Sequence, residues 1–209
     1  SYQDQMAGTF GDAGCFSFYP TKNLGAYGDA GAITVKSEAQ AKHLFSLRAH
    51  GSTPEDKYFH EEWGTNSRLD EMQAAILNVK LQYLDEWTEK RGKVAYFYDQ
   101  ELEDEKDWLE TPVVAKDRKH VYHQYVVRTE RRDELKKFLN ERGIGASPYY
   151  PYSLHELPPL KRFGYKAGDF PEAERAAEEV LALPCFPQMT QEEMGYVVET
   201  VKTFKRLNV

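Results

Sequence analysis

Cys15-Phe-Ser17-Phe-Tyr-Pro-Thr-Lys22-Asn-Leu-Gly25-Ala-Tyr-Gly-Asp-Ala-Gly31-Ala-Ile33 places one lysine on a glycine-rich turn between two short apolar runs. The runs Cys15–Tyr19 and Ala30–Val35 are predicted as strands, with Pro20, Asn23 and the glycines making the connection. An amine drawn from water toward an apolar wall loses its charged form, by as much as roughly 3–5 pKa units when fully buried. The neutral amine is the form that attacks an aldehyde. The local pattern leaves two readings of Lys22 open: a Schiff-base lysine, and a solvated lysine on a turn.

Outward from this stretch, Ser37-Glu-Ala-Gln caps a predicted helix that ends near Gly51. An irregular segment over 52–66, holding Pro54, Gly64 and several aromatics, leads to Ser67 as the cap of a long helix with Asp70 and Glu71 in its first turn. Leu69, Met72, Ile76, Val79, Tyr83 and Trp87 recur at helical spacing and predict one buried face, and the pattern continues through Val94, Tyr98 and Leu102. A helix of this length bridges two bodies, so a domain boundary is placed near its middle. Beyond Glu103 the reading is a small α/β domain: a strand over Val121–Arg128, a helix over Arg132–Arg142 stopped by Gly143, and an extended Ile144–Tyr150. Helices over Pro171–Leu181 and Thr190–Leu207 follow, the last opened by the capping box Thr190-x-x-Glu193.

The 209 residues suffice for one sizeable core or two small ones, and 41% hydrophobic with 13% aromatic content is that of a folded chain. A net charge of -7 argues against nucleic acid or an anionic membrane as the main partner. Neither a membrane span nor signal-peptide character is present, which agrees with a cytoplasmic protein. Cys15 and Cys185 lie far apart in apolar surroundings and are expected as buried thiols rather than a disulfide. His120 and His123, three apart on a predicted strand, point to opposite faces, and the remaining histidines are scattered, so no metal site is expected.

Several further stretches stand in order along the chain: Gly11-Asp-Ala-Gly-Cys before the lysine turn, His50-Gly-Ser52, Lys57-Tyr58, Gly64-Thr-Asn66-Ser-Arg68-Leu-Asp-Glu, Gln73-Ala-Ala-Ile-Leu, Tyr149-Tyr150-Pro151 with His155, and Leu183-Pro184-Cys-Phe-Pro187-Gln-Met-Thr. Together they resemble the pyridoxal-phosphate sugar aminotransferases of the DegT/DnrJ/EryC1/StrS family over nearly the whole chain. Related sugar dehydratases replace the lysine with histidine, so Lys22 favours transamination. The resemblance implies an α/β fold, the C-terminal part of a fold-type I transferase. Residues 1–88 would be the end of the large cofactor-binding domain and 89–209 the small C-terminal domain. The family's acidic partner for the pyridine nitrogen and its glycine-rich phosphate segment lie N-terminal to the lysine and have no counterpart here, so this chain alone is expected to be inactive.

By the same resemblance Lys22 is the catalytic lysine that binds pyridoxal 5'-phosphate, and Ser17 bonds the cofactor phosphate. Ser17's other reading is a strand serine bonding its own backbone. Asn66 and Tyr58 are implied to reach the cofactor phosphate of a neighbouring subunit across a homodimer with shared active sites. Asn66 also suits a helix cap, and Arg68 suits either the phosphate or pairing with Asp70 or Glu71. Tyr150 and His155 fall in the segment near the sugar, where His155 is alternatively a solvated or locally bonded loop histidine. Tyr149 stands where many relatives have histidine, which leaves the contact there open. The implied reaction uses glutamate as amine donor and a nucleotide-linked keto-deoxysugar as acceptor, most like a 3-keto-6-deoxyhexose on thymidine diphosphate. A non-catalytic module of the same fold and a pyridoxal-phosphate sugar dehydratase are the alternatives.

Overall fold

β1 (Ala13–Ser17) and β2 (Gly31–Val35) pair antiparallel, with Ala13 opposite Val35 and Ser17 opposite Gly31, on either side of the Lys22 turn. This computed structural model describes residues 1–207. The chain divides into two compact units, Ser1–Glu86 with Ala115–His120 and Trp87–Val114 with Val121–Val209.

In the first unit the sheet has two strands and its apolar side chains remain open, Phe16 39% and Ile33 53% exposed. Cys15 is exposed rather than a buried thiol; it borders an open cavity that Ile33, Ala41 and Leu44 also line. α1 (Glu38–Leu47) follows β2 and is capped as expected, Gln40 N–H donating to Ser37 Oγ at 3.2 Å. The next helix differs from its expectation. α2 (Glu71–Leu81) starts later, capped by Asp70, whose Oδ1 accepts from Met72 N at 2.9 Å; neither Ser67 nor Asn66 is the cap. It ends at Leu81, and a turn separates it from α3 (Leu84–Glu101), so one long helix is two. The predicted buried face is also open along α2, with Met72 71% and Val79 61% exposed, while Leu77 is buried. Periodicity marks a face that is apolar, and burial then requires something to lie on it.

The boundary between the units falls inside α3, between Glu86 and Trp87. In the second unit Val94, Ala95 and Tyr98 of α3 join one core with Tyr125 and Val127 of β3 (Tyr125–Arg128), Leu135 and Leu139 of α4 (Arg132–Asn140) and Val197, Val201 and Phe204 of α6 (Gln191–Leu207). β3 pairs antiparallel with β4 (Val180–Leu183), Tyr125 opposite Leu183. β4 was not foreseen. The helix predicted over Pro171–Leu181 runs two residues into it, but α5 (Pro171–Glu179) stops at Glu179 and pairing with β3 takes the next four residues. β3 is shorter than predicted, so His120 and His123 lie on no strand; the carbonyls of Tyr122 and His123 turn instead to the Arg91 guanidinium at 3.2 and 3.3 Å. Ile144–Tyr150 forms no named strand, although Ser147 bridges to Ala182. Gly143, at φ 76°, ends the α4 segment in the left-handed region that glycine adopts without strain.

The two buried tyrosine hydroxyls of this core find partners within the chain. Tyr98 Oη donates to Pro184 O at 2.8 Å and Tyr125 Oη to Asp99 Oδ1 at 2.6 Å. Burial raises the pKa of both phenols, keeping them as donors. Arg91 Nη1 also donates to Cys185 O. Cys185 is half-buried, and burial pushes its thiol up to about 11.

The predicted capping box is present: Thr190 N donates to Glu193 Oε2 at 2.8 Å, and Glu193 N to Thr190 Oγ1 at 3.2 Å. Thr190→Ala should therefore lower the unfolding free energy by about 1 kcal/mol, with Thr190→Ser near the parent, as read by denaturant titration.

Candidate active site

The lysine turn is built by the backbone leaving one strand and returning to the other. Phe18 N donates to Ala30 O at 2.8 Å, extending the ladder past Ser17, and Ala26 N donates to Phe18 O at 2.8 Å, folding the loop back on β1. Inside that closure Lys22 N donates to Tyr19 O at 2.8 Å. Gly25 is required by close approach, since a Cβ there would stand 2.4 Å from Pro20 O. Lys22 is half-buried, and its amine has no ion pair or hydrogen bond to the described residues. The apolar wall anticipated around it is not formed by this unit, where Tyr19 and Tyr27 are 51% and 74% exposed. Ser17 Oγ accepts a 3.4 Å bond from Tyr19 N, which leaves its proton available to an acceptor.

Two side chains of α2 reach the same loop. Gln73 Oε1 accepts from Tyr27 N at 2.8 Å, and Lys80 Nζ donates to Gly25 O at 2.6 Å while lying 4.6 Å from the centre of the Tyr27 ring. Gln73 opens one of the stretches quoted above, but sequence reasoning gave neither residue a role. The available signal was their spacing, seven residues and hence about two turns apart on one helix face.

A second constellation forms where α1 ends. Thr65 N donates to Leu47 O at 2.8 Å, His50 N to Thr65 O at 2.9 Å and Ser67 N to Arg48 O at 2.9 Å, so the 65–67 strip lies along the helix terminus. Gly64 allows this approach, since a Cβ would come 2.3 Å from Gly51 N. Asn66 stands exposed on the strip, its Oδ1 accepting from Arg68 Nε at 3.2 Å. Arg68 thus pairs with Asn66 and not with Asp70 or Glu71 as one reading had it. Tyr58 is 80% exposed on the intervening loop, with its backbone N held by Asp56 Oδ1 at 2.8 Å.

Tyr150 and His155 belong to the second unit. Tyr150 is 68% exposed, its ring 5.4 Å from that of Tyr149. His155 is 7% exposed: its Nε2 meets Glu174 Oε1 at 3.0 Å, and its ring packs edge-on against Phe170 at 4.9 Å. Its local bonding reading is thus realised, in a buried rather than a solvated setting. Glu174 also accepts from Gly168 N at 2.8 Å and Phe170 N at 3.2 Å, tying the 164–170 loop to α5. These donors, the Gly168 N–H first, hold the Glu174 carboxyl below its ordinary value.

Over this geometry the fold is that of the pyridoxal-phosphate sugar aminotransferases. The family model described as the DegT/DnrJ/EryC1/StrS aminotransferase family matches residues 1–202, and the chain belongs to that family. It is 49% identical over 206 residues to the pleiotropic regulatory protein of Geobacillus stearothermophilus, covering 98% of this chain and 55% of that protein. It is 40% identical over 201 residues to the dTDP-3-amino-3,4,6-trideoxy-alpha-D-glucose transaminase of Streptomyces venezuelae, covering 96% and 52%. The crystal structure of S. venezuelae DesV in complex with a ketimine intermediate superposes with a TM-score of 0.90 at 40% identity, over 97% of this chain and 54% of that one. The chain spans about half the length of the curated relatives it matches. No helix among the described residues is long and apolar enough to cross a membrane.

Because the folded pKa of Glu174 is depressed, its contribution is complete well above the ordinary value of 4.5 and is lost as pH falls through the folded value. The protection factors of the Gly168 and Phe170 amides, taken relative to intrinsic exchange at each pH, should fall over that acid range, and Glu174→Gln should abolish that fall.

Proposed function

We propose that the chain is the lysine-bearing half of a cytoplasmic, homodimeric, pyridoxal-phosphate-dependent aminotransferase that aminates a nucleotide-linked keto-deoxysugar with glutamate as donor. In this reading residues 1–88 end the large domain and 89–209 form the small one, in keeping with the division between Glu86 and Trp87. The observation that carries it is the Lys22 amine, without an ion pair to the described residues, in a loop whose backbone closure leaves little room for another shape. The names of relatives as dTDP-amino-sugar transaminases support the substrate class.

The donor set fits the cofactor. A primary amine suits its aldehyde, and the Ser17 hydroxyl, with a proton to give, suits its phosphate. When bound, the cofactor supplies the electron sink for a carbanion at the donor carbon. The chain's own part is positioning and proton movement. Lys22 Nζ would hold the cofactor at its aldehyde and, when its amine is free, would take a proton from the donor carbon as general base and return one as general acid. Asn66 and Tyr58, both exposed on the α1-terminal loops, serve the phosphate of the partner's site, with Arg68 orienting Asn66. Tyr150 offers its ring and hydroxyl to the sugar, while buried His155 acts through the shape of the segment that carries Tyr150.

In the full-length enzyme Lys22→Ala should abolish turnover of a keto-sugar nucleotide with glutamate while leaving the unfolding midpoint within experimental spread. Retained turnover would reject the reading, and so would loss of the fold.

Asn66→Ala should weaken cofactor retention about tenfold or more, the worth of a hydrogen bond to a charged group. If Asn66 acts across the dimer, a Lys22→Ala subunit paired with an Asn66→Ala subunit carries one site with both defects and one with neither. At a cofactor concentration that leaves Asn66→Ala largely unloaded, mixing the two variants should then restore up to half the parent activity; mixtures no more active than Asn66→Ala alone would exclude the cross-subunit role.

A further inference from the structure

The loop that presents Lys22 is fixed on its N-terminal side by β1, through the Phe18–Ala30 bond that extends the ladder. On its C-terminal side the Gly25 carbonyl and the Tyr27 amide are taken up by side chains of α2, Lys80 at 2.6 Å and Gln73 at 2.8 Å. Lys80 is half-buried, and its ammonium makes no ion pair with a carboxylate among the described residues; it is spent on a backbone carbonyl and the face of the Tyr27 ring, 4.6 Å away. An ammonium drawn from water to a neutral carbonyl is a poor source of stability but a directional one, because a charged donor strengthens the bond and fixes the carbonyl's orientation. Gly25 lies three residues beyond Lys22, with Gly25 itself pressed against Pro20. A carbonyl fixed there sets the exit of the turn as β1 sets its entry.

We propose that Gln73 and Lys80 are positioning residues for Lys22: α2 acts as a two-point clamp that holds the turn in the shape that aims the amine at its aldehyde. The inference rests on the reading of Lys22 as the Schiff-base lysine. It reaches further by assigning to α2, which carries none of the residues that touch the cofactor, control over the lysine's reactivity.

The test treats the full-length enzyme with pyridoxal 5'-phosphate, reduces with borohydride and maps the pyridoxyl group by peptide mass, using the other lysines of the same chain as internal reference. Gln73→Ala and Lys80→Met should each lower the rate of labelling at Lys22 about tenfold relative to the other lysines, the scale of one charge-assisted or buried bond. Gln73→Glu, which keeps the acceptor, and Lys80→Arg, which keeps the cation, should recover most of the parent rate. Amide exchange at Tyr27 should accelerate in Gln73→Ala and return in Gln73→Glu. A mere loss of stability would raise labelling at all lysines together and would not be rescued by charge or acceptor. Should Lys80→Met not fold, Gln73→Ala, which removes one acceptor and no charge, decides alone. Unchanged Lys22 labelling in Gln73→Ala, with Tyr27 exchange accelerated, overturns the clamp and leaves the Schiff-base reading standing. Absence of label on Lys22 in the parent enzyme overturns that reading and the clamp with it.

Discussion

The register that sets Ser17 opposite Gly31 is the constraint on which the first unit depends. Glycine permits it, since a Cβ at Gly31 would stand 2.8 Å from Phe16 O. With those partners fixed, the residues between them must leave one strand end and return to the other. Gly25 and the Ala26–Phe18 bond allow that path with Lys22 inside it. A slip by one residue would move every side chain of β1 to the opposite face and carry Ser17 away from the loop.

The second unit solves a different problem. Its core is closed by apolar packing around Tyr98 and Tyr125, whose hydroxyls are bonded to Pro184 O and Asp99. Arg91 brings three carbonyls from two separate stretches, those of Tyr122 and His123 and that of Cys185, to one guanidinium. A buried cation of this kind is costly unless its donors are used, and here it orders backbone that no strand orders. Glu174 does the same with opposite sign for Gly168 and Phe170. In both units, irregular segments are held by charged side chains from neighbouring helices.

What was legible in the sequence was local. The Ser37 cap and the Thr190–Glu193 box were readable because their partners lie within three residues, and the two strands around Lys22 because their turn chemistry is specific. The β4 run was not, because Val-Leu-Ala-Leu after a helical stretch suits either state until β3 pairs with it. The break between α2 and α3 and the exposure of Met72 and Val79 were hidden for a related reason: an apolar period states what a face prefers, not what lies against it. At the site, Lys22 and Asn66 stood out by motif. The roles of Gln73, quoted only as the start of a matching stretch, and of Lys80 did not, since their bonds to Tyr27 and Gly25 span forty-six and fifty-five positions. Sequence patterns also gave no sign that Arg68 turns back to Asn66 rather than forward to Asp70.

The central claim is that Lys22 is the residue that carries the cofactor, and the visible absorbance of the full-length enzyme mixed with pyridoxal 5'-phosphate tests it most directly. The account predicts a visible band in the parent that borohydride abolishes and that Lys22→Ala never develops. A band of equal strength in Lys22→Ala, or reduction that leaves the pyridoxyl group on another lysine, would contradict it.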